Sequence, residues 1–245
     1  MKRRTLITAG ISVTGLAVAA KLADRYGLVP PDHGGIYGVG ETLTYAAQRL
    51  LMSHHSMARE FDRSQITRVF PVNGKPPENE TYQQLLSGKF ADWRLTVDGL
   101  VARPTVFSLA DLKRFPSRTH ITQQACEEGW SFIAEWTGVP LSTILGAAGI
   151  SANAKYVVFF PFDENWDSLD LPDAFHPQTL IAYGLNGEEL PAPHGAPARL
   201  RVPRQLGYKN IKYLSRITVT DSLKNIRNGK GSVSPDYGYS WYAGI

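Results

Sequence analysis

The sequence predicts an α+β fold built on a mixed sheet. Three observations lead there. Apolar, β-branched runs such as "WRLTVDGLV" and "KYVVFFPF" are long enough for strands but not for helices. Single short helical patterns separate them. The regular strand-helix alternation that a doubly wound parallel sheet needs is missing. A chain of 245 residues can bury one large core or two small ones, and it contains no internal repeat and no low-complexity segment.

The N-terminus stands apart from that core. In "MKRRTLITAGISVTGLAVAA", Lys2, Arg3 and Arg4 precede an uncharged stretch from Thr5 to Ala20, the design of a targeting segment. The stretch is short for a membrane span, which takes about 20 apolar residues. Arg3 and Arg4 followed by Thr5, Leu6 and Ile7 resemble a twin-arginine export signal, with an ordinary secretory signal as the alternative. Residues 1–25 are therefore expected to be a signal, or an anchor if "AVAAKLA" is not cut, and the protein to be periplasmic.

Residues 26–60 are expected to form a linker and helical arm, and residues 61–245 the domain. "PPDHGGIYGVG" is dense in glycine and proline, and "TLTYAAQRLLMSHHSMAREF" has helical apolar spacing. "FPVNGKPPENETY" reads as a loop. "WRLTVDGLV" alternates as a strand and ends in the turn pair Asp98-Gly99. "SLADLKRF" opens a short helix with Ser108 as N-cap and Asp111 three residues on. "THITQQA" is a strand running into Cys126, and Pro140 introduces a helix in "VPLSTILGAAG". "KYVVFFPF" is a buried strand, while "HPQTLIAYGLNG" is short and either helical or extended. "PARLRVP" and "IKYLSRITVTD" are strands, with "HGAP" and "RQLGYKN" as the loops beside them. The tail "RNGKGSVSPDYGYSWYAGI" is expected to lie ordered over the domain.

The formal charge of +4 comes from the N-terminus. Residues 1–25 hold five of the 26 basic and one of the 22 acidic side chains, so 21 of each remain. A near-neutral domain gives no support to a nucleic-acid partner. None of the six histidines makes a zinc-type spacing or an H-E-x-x-H helix. His54 and His55, adjacent in a helical pattern, point in different directions. Motifs for haem attachment, phosphate-binding loops and nucleophile elbows are also missing.

Cys126 is the only cysteine, which rules out an intramolecular disulfide. It is either a small buried hydrophobe, a nucleophile or a metal ligand. The segment "HGAPARLRVPRQLGYKNIKYL" places His194, Arg199, Arg201, Arg204, Lys209 and Lys212 within nineteen positions. Strand alternation sends Arg199 and Arg201 to the same side. The cluster is either a solvated basic edge or a buried phosphate site, to which arginine forks and lysine point charges are suited.

The segments "CEEGWSFIAEWTGVPL", "HPQTLIAYGLNGEELPAPHGAPARLRVPRQLGYKNIKYLSRI" and "DYGYSWYAGI" together resemble the molybdopterin-binding domain of the sulfite oxidase superfamily. The likeness is to its short exported bacterial members, related to the periplasmic methionine-sulfoxide reductase catalytic subunit, and it runs from about Phe61 onward. The resemblance implies a sulfite-oxidase-type fold without the C-terminal sandwich domain that such enzymes use to dimerise, and hence a monomer. It implies a molybdenum–molybdopterin cofactor with Cys126 as the metal ligand, and a soft thiolate suits a metal that also carries two dithiolene sulfurs. It implies that His194, Arg199, Asn210, Ile211 and Lys212 hold the cofactor's phosphate, that Asn73 lies near the pterin and that Tyr237 lies over the metal.

Where sulfite oxidases keep an arginine before that asparagine, this chain has Val72. Gln123, Gln124 and Ala125 are likewise uncharged before the cysteine. Without a fixed cation the pocket is expected to favour a neutral S-oxide or related small oxo compound over sulfite, unless Arg204 or Lys209 folds in. The resemblance therefore implies an exported molybdenum oxidoreductase performing oxygen-atom transfer. Electrons would come from another protein, such as a membrane haem protein or cytochrome. The alternatives are sulfite oxidation, a thiol hydrolase pairing Cys126 with a histidine such as His120, and a binding module without catalysis.

Overall fold

The computed structural model describes residues 28–31, 38–51, 56–69 and 71–245. The expected signal at 1–25, most of the glycine-proline linker, and His33, His54 and His55 lie outside the described residues. Among the described residues, no helix is long and apolar enough to cross a membrane.

Two sheets enclose the core. The first has the order β2 (Thr105–Ser108), β1 (Arg94–Gly99), β10 (Leu214–Thr220), β5 (Tyr156–Pro161), β6 (Asp167–Asp170). Only β1 and β10 run parallel, so the sheet is mixed as expected. The second joins β3 (Arg118–Ala125), β4 (Ser131–Pro140), β7 (Leu180–Leu185) and β8 (Glu188–Glu189), with β9 (Arg199–Arg201) also paired to β7. Leu95, Val97, Val157, Phe159, Ile217 and Val219 from the first sheet meet Val139, Ile181 and Leu200 from the second. Each is almost fully buried and contributes roughly 1.5–3 kcal/mol of transfer free energy.

The helices are short: α1 (Gly38–Leu51), α2 (Glu80–Ser87), α3 (Leu109–Arg114), α4 (Leu141–Ala148) and α5 (Leu171–Ala174). Ser108 and Asp111 make the expected reciprocal cap of α3, and Pro140 is the N-cap of α4. Asp98-Gly99 turns tightly: a Cβ on Gly99 would sit 2.1 Å from the Val219 carbonyl oxygen, and φ is +84°. The tail lies ordered over the domain, burying Trp241 to 1% exposure against Tyr45 and Tyr156.

Two expectations are corrected, and one left open is decided. The helical pattern read over residues 42–61 begins earlier, at Gly38, and Ser56–Arg59 are irregular. There the backbone is held from outside: the Gln178 amide bonds both the N–H and the carbonyl of Ala58, and the Phe61 amide donates to Ile121. The loop read over residues 70–82 ends at Asn79, whose side chain caps α2 by accepting from the Tyr82 amide at 2.9 Å. Of the two readings left open for residues 176–187, helical or extended, the extended one holds over Leu180–Leu185, because β4 and β9 flank it on both edges.

Candidate functional site

Cys126 opens the turn between β3 and β4. Ala125 and Ser131 are the last paired residues, and five residues cross over between them. The Cys126 amide donates to the Trp130 carbonyl at 2.8 Å, and Gly129, at φ +89°, donates back to the Cys126 carbonyl at 3.1 Å. This is why "CEEGW" needs its glycine: the return bond requires a left-handed residue. The turn holds Cys126, 7% exposed, at the edge of a cavity of about 310 Å³.

All eight of the sequence-derived site residues, Asn73, Cys126, His194, Arg199, Asn210, Ile211, Lys212 and Tyr237, line that one cavity. They arrive from four places in the chain. Asn73 comes from the loop before α2, and its Nδ2 lies 3.7 Å from Cys126 Sγ. Lys212 donates from Nζ to the carbonyls of Asn73 (2.6 Å) and Pro193 (3.0 Å), tying that loop to the basic segment. Arg199 donates to the carbonyls of His194 and Asn210, each at 2.9 Å. Arg199 and Arg201 both face Trp136, at 5.0 and 5.3 Å from its ring centroid, as alternation along β9 predicted. Arg201 braces from behind, bonding Asn210 Oδ1, Thr122 Oγ1 and the Gln123 carbonyl. Asn210 uses its side chain inside the loop, accepting from the Val202 amide at 2.7 Å and donating to the Leu206 carbonyl at 3.0 Å.

Two backbone features bring these groups together. Gly195 has φ +110°, and a Cβ there would meet Lys212 Cβ at 2.9 Å and Arg199 Cβ at 3.2 Å. Gly207 passes within 3.3 Å of the Cys126 Cα by the same measure. Glycine at these positions leaves the backbone open to a ligand. Its larger effect is to let two basic side chains and the cysteine turn pack without intervening bulk.

The electrostatics separate the cavity into two sides. Burial lowers the basic groups on one wall: Arg199 to about 10, Lys212 to about 8 and His194 to about 4, with Lys212 depressed further by Arg199, and His194 by both Arg199 and Lys212. Arg199 and Lys212 stay protonated at neutral pH, whereas His194 is a neutral imidazole. Cys126 is pushed up, first by burial and then by the Glu127 carboxylate, whose Oε2 lies 3.4 Å from Sγ. The free thiol is therefore protonated at neutral pH, and a metal must displace its proton.

The donor set fits an anionic pterin phosphate. Arg199 Nε and Tyr213 Oη are buried donors without a hydrogen-bond partner among the described residues, and both residues line the cavity. The Ile211 and Lys212 amides carry no hydrogen bond among the described residues. No carboxylate forms an ion pair with Arg199 or Lys212 among the described residues, although both are charged. A phosphate would satisfy these donors and offset that charge. A single sulfur completes the set for molybdenum. Among the described residues no group of three histidine, cysteine or carboxylate side chains is placed to hold a metal ion.

Sequence reasoning misplaced some residues and missed others. Val72 is 44% exposed and does not line the cavity, whereas Lys75 does. The expectation of an apolar neighbour and no cation is therefore corrected: the loop turns Val72 outward and brings Lys75 to the rim. Arg204 and Lys209 do not enter. Lys209 is buried against Asp167 and the Ser168 carbonyl. His120 bonds Glu60 and lies outside the cavity, so it cannot serve Cys126 as a base. The unforeseen wall is Tyr208, which stacks on Tyr239 at 5.0 Å and donates from its hydroxyl to the Ser240 carbonyl. Nothing in spacing marked Tyr208, because a tail folded back from far along the chain creates its role.

Comparisons with known proteins give the family. The model of the oxidoreductase molybdopterin binding domain matches residues 83–226, more than half of the chain. A protein of Azospira oryzae, "Putative protein-methionine-sulfoxide reductase subunit YedZ1", is 37% identical over 197 residues, covering 80% of this chain and 71% of that one. The crystal structure of the sulfane dehydrogenase SoxCD from Paracoccus pantotrophus superposes with a TM-score of 0.51 at 30% identity. That match covers 55% of this chain and only 40% of the SoxCD chain. The family match, the sheet pair and the Cys126 cavity lead to one conclusion: the chain belongs to the sulfite oxidase superfamily and is a molybdopterin-dependent oxidoreductase.

Proposed function

We propose that the chain reduces an S-oxide or related small oxo compound in the periplasm. The S-oxide, two electrons and two protons give the thioether and water. Molybdenum–molybdopterin, when bound, supplies the two-electron redox change and the oxygen-atom transfer. Cys126 gives up its proton and holds the metal through Sγ. Arg199, Lys212 and the Ile211 and Lys212 amides hold the phosphate, with the neutral His194 ring beside them. Asn73 orients its amide on the sulfur. The Tyr237 side chain, 71% exposed and on the cavity wall, donates a hydrogen bond to the substrate oxygen. The exposed Tyr239 and half-buried Trp130 give the same wall an apolar surface for a substrate's hydrocarbon part.

The observation that carries this reading is that the sole thiol and the unpaired cations share one cavity. The S-oxide class rests on the name of the Azospira relative. That relative is called a subunit, which supports a second protein as electron source. We propose a membrane haem protein or cytochrome for that role. Export rests on Arg3-Arg4 and the stretch that follows.

Lys75 favours a second reading, sulfite oxidation, because a cation at the rim can attract a dianion. Steady-state assays separate the two. Reduced viologen with methionine sulfoxide should give a higher kcat/KM than sulfite with ferricyanide, and the opposite order would overturn the S-oxide reading.

A further inference from the structure

Helix α1 is amphipathic in the wrong sense for a free surface. Its inner face carries polar anchors. Tyr45 donates to Asp170 Oδ2 at 2.7 Å, and the Arg49 guanidinium meets Asp170 and Asp173 at 2.5 and 2.7 Å while lying 4.5 Å over the Tyr242 ring. Gln48 reaches the Gly244 carbonyl at 3.3 Å. The outer face carries Val39, Leu43, Leu50 and Leu51, which are 76, 65, 70 and 82% exposed. Gly40, Thr44 and Ala47 are exposed beside them, and none of the seven is charged. A surface helix ordinarily shows the reverse pattern, so this stripe is built to be covered.

What covers it follows from its size, its charge and the chain before it. Fourteen residues make a helix about 21 Å long. A stripe roughly 10 Å wide on it offers on the order of 200 Å², far below the roughly 800 Å² per partner of a stable protein interface. A bilayer needs no matching surface. Residues 1–27 lie outside the described residues and include the uncharged stretch Thr5–Ala20, with Lys2, Arg3 and Arg4 before it and Lys21 and Arg25 after it. Residues 21–37 join that stretch to α1, a reach of at most about 60 Å. Where the stretch enters a membrane, α1 is confined to its surface.

We propose that the outer face of α1 lies in the interface of a lipid bilayer and holds the domain in one orientation there. Tyr208 and Tyr239 line both the Cys126 cavity and the groove beneath α1. The membrane-bound helix and the cofactor cavity thus share one wall. Because the stripe is uncharged, zwitterionic lipid suffices and salt does not release it.

The test uses the full, cofactor-loaded chain carrying Ala47→Cys labelled with a fluorophore, on phosphatidylcholine vesicles with brominated acyl chains. The expected result is at least about twofold quenching, unchanged by salt. The same label in Leu43→Glu/Leu50→Glu should lose the quenching while molybdenum content and circular dichroism stay at the parent level, since only exposed side chains change. An unquenched label on the parent chain would overturn the proposal, as would equal quenching in the double variant. A change in label emission that rises with protein concentration without lipid would also overturn it, in favour of a second copy of the chain.

Discussion

Lys212 Nζ donates to the carbonyl of Asn73 at 2.6 Å, closing a contact across 139 residues. One side chain thus holds the loop facing the Cys126 sulfur and supplies a cation to the phosphate side. Lys212→Met should lower cofactor retention about tenfold to a hundredfold, the loss of a charge-assisted contact of roughly 1.5–3 kcal/mol. Molybdenum content after dialysis measures this. Full occupancy would show that the lysine serves only the loop.

The lowered histidines predict acid sensitivity. His176, 2% exposed, is pulled to about 4 by burial and then by the Arg204 charge, against an ordinary 6.5. Between those values the unfolded chain binds a proton that the folded chain refuses, so stability falls as pH drops from 6.5 toward 4 and is fully present above 6.5. The contribution of His176 is on the order of 3 kcal/mol. His194 acts in the same direction. Urea midpoints at pH 7 and pH 5 should differ accordingly, and His176→Gln should flatten the slope.

Lys75 predicts a selectivity change confined to anions. Lys75→Met should raise KM for sulfite and other anionic substrates a few-fold, with kcat unchanged, and leave a neutral S-oxide unaffected. Equal KM changes for charged and neutral substrates would place the lysine outside recognition.

Export is testable by conserving charge. Arg3→Lys with Arg4→Lys should retain the protein in the cytoplasm, because the route inferred from the sequence reads the arginine pair rather than the charge. Fractionation checks this, and normal delivery would favour the ordinary secretory route.

Much of this was legible from local pattern. The α3 cap, the β1 turn at Gly99 and the strand ending at Cys126 follow from residues that are neighbours in sequence. The eight residues that motifs singled out in the sequence line one cavity. Illegible were features decided by distant chain. Gln178 and the edge of β3 take the backbone bonds of residues 58–61, which interrupts a helical pattern. Val72 and Lys75 differ in direction because Lys212 fixes the loop between them. Tyr208 becomes a wall only when the tail brings Tyr239 onto it.

The central claim is that Cys126 is the metal ligand, and the Mo(V) paramagnetic spectrum of Cys126→Ser tests it most directly. A hydroxyl is a harder and far less acidic ligand, so the metal–sulfur bond is lost at nearly constant side-chain volume. Activity should vanish and the spectrum should change, with circular dichroism unaltered. A variant that keeps the parent Mo(V) signal would contradict the account.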